Sequence, residues 1–171
     1  MARKEQPVEG SESFYLLKSE PDEFSIDDLA AAKDQTEPWD GVRNYQARNI
    51  MKGMRLGDRA FFYHSNCKQP GIVGICEVAR EAYPDSSALD PDSKKYDPKA
   101  TAEDPRWYMV DVKMVRRLAR LVSLQELKQH SEAALQGMAL LSKGRLSVQP
   151  VTQQQWDFVL GLEDRPPEQE A

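Results

Sequence analysis

Cysteine and histidine are scarce, with two of each in 171 residues. Cys67 and Cys76 are too few for a disulfide framework and have no neighbours at metal-ligand spacing. Cys76 sits in an apolar stretch and reads as buried; Cys67 falls in a polar loop beside Asn66. No His/Cys/Asp cluster has the spacing of a metal site, so neither a metal nor a cofactor is expected. His64 directly precedes Ser65, and adjacent strand residues point to opposite faces, which argues against a nucleophile–base couple. There is no glycine-rich phosphate loop. No apolar run approaches the roughly 18 residues that span a bilayer. The first residues lack the apolar segment of a secretory signal. A soluble, intracellular protein without a membrane partner is expected.

A basic excess is missing too: the formal net charge is -5. The acidic surplus lies mostly in residues 1–12 and 163–171, which leaves a near-neutral body. Within that body, Arg43, Arg48, Lys52, Arg55 and Arg59 form one basic cluster, and Lys113, Arg116, Arg117 and Arg120 another. Sequence-independent DNA binding needs a large basic surface of phosphate contacts. This balance fits a domain that reads one nucleotide with modest help from the backbone.

What is present is one domain's worth of alternating and helical pattern. Residues 1–13 are polar and aperiodic and are expected to be disordered, as is the acidic tail 163–171. Between them, 14–162 forms a single domain. Strands are expected at 14–17, 59–64, 72–79, 107–118 and 147–151. Ser25, Asn44, Ser123 and Thr152 are placed to cap helices, because their side-chain oxygens can accept from free N–H groups of the first turn. A polar connection at 82–105 with four prolines is long enough to be functional or mobile. Clustered strands with short helices and no βαβ alternation predict an α+β fold, a small curved sheet or barrel of about five to six strands flanked by short helices.

The densest chemistry lies in Trp39-Asp40-Gly41-Val42-Arg43-Asn44-Tyr45-Gln46-Ala47-Arg48-Asn49. It reads as a loop delivered onto the N-terminus of a short helix that stops near Gly53. Such a loop sets an aromatic face, polar edge-readers and partial positive charge at one point. A planar-ligand pocket and a core tryptophan beside a capped helix are about equally consistent with composition alone. The same stretch, with Ser19-Glu20-Pro21, Tyr63-His64-Ser65-Asn66, Pro70-Gly71-Ile72, Tyr96-Asp97-Pro98 and Leu146-Ser147-Val148-Gln149-Pro150, closely resembles the EVE domain of the PUA-like superfamily. The resemblance runs in order over about residues 15–162. It implies a PUA-like curved β-barrel and a modified-base pocket formed by Trp39, Val42, Asn44, Ser65, Asn66 and Trp107. Relatives include the YTH readers of methylated adenine and the ASCH domains, some of them hydrolytic.

A base taken out of its stack needs apolar or aromatic faces and a donor–acceptor edge. Trp39 and Trp107 are the candidate faces. Ser65, Asn66, Asn44 and the backbone at Gly41 and Val42 are candidate edge groups, and Lys18, Ser19, Ser147 and Gln149 are candidates from strand ends. Plainer roles stand beside these: Trp107 as core or rim, Gln149 as a backbone pin, Arg43 and Arg48 as partners of Asp40 or Glu37. Without such pairing, Arg43 and Arg48 are the first candidates for phosphate contact, followed by Lys68 and Arg145. The leading expectation is a non-catalytic, monomeric reader of methylated or hydroxymethylated cytosine in DNA. The alternatives are a modified-RNA binder of YTH/PUA type and, third, an ASCH-like RNA or nucleoside hydrolase drawing on Tyr63 and Asp40. The short head before Phe14 favours a bacterial, cytoplasmic protein; a eukaryotic one would be nuclear.

Overall fold

The computed structural model describes residues 13–167. Most of the predicted head and the last residues of the acidic tail lie outside the described residues. The chain builds a six-stranded mixed sheet: β1 (Phe14–Ser19), β2 (Thr36–Pro38), β3 (Arg59–His64), β4 (Gly71–Pro84), β5 (Tyr108–Ser123) and β6 (Val148–Val151). Their order across the sheet is β2-β5-β4-β3-β1-β6, so β2 and β6 remain as edges and the expected barrel is not closed. β1 runs parallel to β3, and every other pairing is antiparallel.

The period-2 alternation of strand side chains divides the apolar residues between two cores. Leu17, Phe62 and Cys76 face one side, with Trp39, Val42, Met51 and Val110. Their neighbours Leu16, Phe61 and Ile75 face the other, with Trp156, Val159 and Leu162. Helices cover both. On the first side lie α1 (Ile26–Ala31), capped by Ser25, and α2 (Tyr45–Lys52), capped by Asn44. On the second lie α3 (Leu124–Lys128), α4 (Ala139–Ser142) and α5 (Gln153–Glu163). All four expected capping side chains accept a first-turn N–H. α5 runs one residue past the expected domain end, because Glu163 is buried and paired with Arg116 at 2.8 Å.

β4 and β5 run further than their apolar patterns, past Ala79 and Leu118. Their mutual pairing carries the polar ends, through four register shifts that bend and twist the ribbon. The three-residue β2 is an edge strand that the sequence pattern does not reveal.

Candidate functional site

A cavity of about 530 Å³ opens on the first side of the sheet, within the roughly 300–1,000 Å³ span of small-ligand sites. The end of β1 contributes Lys18 and Ser19, and the turn after it Glu23 and Phe24. Across the opening stand Glu37 and Pro38 of β2 and the loop 39–43, with Lys95 and Ser147 completing the rim. Three strands separate β1 from β2 in the sheet order, so the curl of the sheet is what brings these walls together.

The loop is held by specific contacts. The Trp39 N–H donates to the Val110 carbonyl at 2.7 Å, extending the β2 ladder by one residue. Its ring stands edge-on to Phe62 and Phe24, with centroids 5.4 and 6.2 Å away, and only 7% of the residue is exposed. Gly41 sits at φ +80°, where a side chain is strained, and a Cβ there would come within 2.7 Å of the Lys95 side chain. Its N–H donates to the buried carboxylate of Asp85 at 2.8 Å, and Arg43 meets the same oxygen at 3.0 Å. Burial alone would raise the Asp85 pKa, but hydrogen bonds from Ser87, Gly41 and Arg43 outweigh it and hold the carboxyl below its ordinary value. Lys95 closes the rim through Asp40 at 2.5 Å, and its carbonyl accepts from Arg43 at 2.6 Å.

Of the residues singled out from sequence, the cavity gathers Lys18, Ser19, Trp39, Gly41, Val42 and Ser147, together with Arg43. The others lie elsewhere. Asn44 uses its side-chain oxygen on the Ala47 N–H at 2.9 Å. Ser65 donates its N–H to the Ser19 carbonyl at 3.0 Å, and the Asn66 amide bonds Glu20 at 2.5 Å. Gln149 is buried in β6, where its amide pins the carbonyls of Lys143 and Leu146. Trp107 belongs to a separate small core with Ala88 and Ala100. It stacks on Tyr45 at 4.9 Å and donates its Nε1–H to Asp97 at 2.6 Å.

The basic candidates divide likewise. Arg43 spends its guanidinium on Asp85, Ser87 and two carbonyls, not on Asp40 or Glu37. Arg48 donates to the Arg106 carbonyl at 2.9 Å and to the Asn49 side chain. Arg145 lies exposed in a shallow depression with Asn44 and Lys143, and Lys68 in another with His64 and Cys67. Glu23, Phe24, Glu37, Pro38, Asp40 and Lys95 line the cavity without having been selected as pocket residues. The signal for Glu37 lay in its i, i+2 spacing from Trp39, and for Lys95 in the length of the loop that carries it.

Burial lowers the pKa of Lys18, whose ammonium donates to the Gly144 carbonyl at 2.7 Å. Burial and then the nearby Asp40 charge raise that of Glu37, Lys95 opposes them, and Asp111 adds a smaller upward effect. His64 accepts the Ile26 N–H on Nε2 at 3.1 Å, and burial keeps its pKa below the ordinary value. That nitrogen is committed to holding the start of α1. Among the described residues, no group of three His, Cys, Asp or Glu side chains could hold a metal ion, and no helix is long and apolar enough to cross a membrane.

Comparison with known proteins places this architecture. Mouse thymocyte nuclear protein 1 is 48% identical over 170 residues, covering 91% of this chain and 75% of that protein. The human THYN1 protein, in a crystal structure in complex with 5-methylcytosine-containing DNA, is 46% identical with a TM-score of 0.89, covering 91% of this chain and 99% of the other. A hypothetical protein from Leishmania major is 52% identical with a TM-score of 0.84, covering 90% and 95% of the two chains. The EVE domain model matches residues 13–162, and the chain belongs to that family.

Proposed function

We propose that the protein is a non-catalytic reader of nucleic acid that holds one modified base, 5-methylcytosine in DNA, in the cavity between Phe24, Trp39 and Glu37. The observation that carries this reading is the cavity itself: two aromatic walls, a polar rim, and a loop fixed by a buried Asp85–Arg43 pair. Such a site is organised before its ligand arrives, so binding loses little to ordering. The human relative's complex with 5-methylcytosine-containing DNA supports the choice of base and polymer.

Aromatic contact with an extruded base contributes on the order of 1–3 kcal/mol. A methyl group in an apolar slot adds only about 1–3 kcal/mol of discrimination, so the polar rim must supply the rest. Arg48, Lys68 and Arg145 are the guanidinium and ammonium groups offered to phosphates. The test is a titration against matched DNA and RNA oligonucleotides, with and without a central modified base, at two salt concentrations. Tighter binding to the 5-methylcytosine DNA with a shallow salt slope is expected. Equal binding to all members, collapsing with salt, or unchanged preference in Trp39→Ala, would overturn the assignment.

A further inference from the structure

The polar groups of the cavity differ in how far their partners are already fixed. Several of its donors are partly or fully engaged: Arg43 on Asp85, Ser87 and carbonyls, one N–H of Lys95 on Asp40 at 2.5 Å, and one N–H of Lys18 on the Gly144 carbonyl at 2.7 Å, each ammonium keeping further N–H groups. The Ser19 hydroxyl donates to the Phe24 carbonyl at 2.5 Å, and the Gly41 N–H to Asp85. The carboxylates of Glu23 and Glu37 accept no hydrogen bond and form no salt bridge among the described residues. The site therefore offers open carboxylate acceptors beside the remaining N–H groups of Lys18 and Lys95.

Glu37 is the better placed of the two. β2 pairs with β5 through Thr36, Glu37 and Pro38, and the Trp39 N–H carries the ladder one step further. Side chains two apart on a strand share a face, about 7 Å apart. Glu37 and Trp39 thus enter the same cavity side by side, one as an edge group and one as an apolar wall. Glu37 is half-buried; burial first, then the Asp40 charge, disfavour its ionised form, Lys95 offsets part of this, and an incoming N–H would stabilise the carboxylate further.

We propose that Glu37 selects the bound base by accepting a hydrogen bond from an exocyclic amine, so that the cavity takes amino-bearing bases and rejects thymine and uracil. This rests on the base-reader function proposed above and names the base class of the same site. 5-Methylcytosine and thymine carry the same methyl group and differ along the edge: cytosine presents an amine with two N–H donors, thymine a carbonyl oxygen. Thymine's one donor on that edge, N3–H, lies between two carbonyl oxygens that a carboxylate repels. The methyl group alone cannot tell these two bases apart; the carboxylate can.

The test uses the full chain and four DNA duplexes that differ in one base, 5-methylcytosine, cytosine, thymine or uracil, each opposite an abasic site so that pairing strength does not enter. The wild type is expected to bind 5-methylcytosine over thymine by roughly tenfold or more. Glu37→Gln changes little in volume and can turn either amide oxygen or amide nitrogen to the base. Its 5-methylcytosine-to-thymine ratio is expected to collapse toward one, chiefly through gained thymine binding. Equal wild-type binding to these two duplexes, or an unchanged ratio in Glu37→Gln, overturns amine selection. If the wild type still prefers 5-methylcytosine to cytosine, base reading survives that failure. If it shows no base preference at all, both readings fall.

Discussion

Trp39 and Trp107 are both nearly buried, at 7% and 5% exposure, yet they serve different parts of the molecule. Trp39 continues an edge strand and packs into the main core while forming a cavity wall. Trp107 anchors the long 85–107 connection: its ring stacks on Tyr45, its Nε1–H is taken by Asp97, and Arg43 lies 5.5 Å from its centroid. One tryptophan lines the site and the other holds the loop whose residues, Asp85 and Lys95, brace and rim it. Burial and residue type do not distinguish the two roles. The hydrogen-bonding partners and the open space beside the ring do.

Removing each ring should have the largest effects. Trp39→Ala and Trp107→Ala are each expected to cost about 3–5 kcal/mol in urea denaturation. Trp39→Phe should lose modified-base preference, whereas Trp107→Phe should retain it; loss in both would mean that Trp107 touches the ligand. Next in size is Asp85→Asn, which removes the charge that joins the Trp39 loop to the Trp107 connection. A drop of about 2–3 kcal/mol is expected, with weaker binding, from losing hydrogen bonds to a charged group. Smaller is Asn44→Ala, about 1 kcal/mol for a lost cap. Base preference should stay intact in it, since the side chain is spent on α2.

The smallest effect separates the regions by pH. The His64 ring packs edge-on against Phe62, which touches Trp39, and its pKa is held below the unfolded value by burial. Its neutral form is therefore the stabilising one, fully present above the unfolded pKa of about 6.5 and lost as pH falls below it. Asp97, beside Trp107, is held low by the Trp107 Nε1–H, then the Lys99 N–H, and stays ionised through that window. Thermal midpoints measured from pH 7 to pH 5 should fall, and the fall should be shallower in His64→Gln, in which the amide oxygen can accept the same N–H.

Much of the fold is written locally. Ser25, Asn44, Ser123 and Thr152 announce helix starts because capping needs only residues within one turn. The aromatic strand 59–64 announces itself by composition. The Trp39 loop stands out because a glycine, an aromatic and a capping asparagine fall together. What escapes is set by distant partners. β2 is three residues ending in a proline, and only β5, some seventy positions on, makes it a strand. Asn66 stands out as a polar loop residue, but its bond to Glu20, 46 positions away, does not. Arg43 looks free until Asp85 arrives from across the fold. The open carboxylate of Glu37 is visible only once the partners of the other rim groups are known, and those lie up to 126 residues away, as for Lys18 and Gly144.

The position of β1 has a consequence for how the protein comes to be. β1 lies between β3 and β6, and the Lys18 N–H donates to the Ser147 carbonyl, just before β6. During synthesis the sheet can grow from the β3–β4–β5 meander while β1 still lacks one neighbour. Long-range pairing of this kind is slow, because chain closure precedes the contacts that reward it. The cavity, whose rim includes both Lys18 and Ser147, is therefore completed only when nearly the whole chain has left the ribosome.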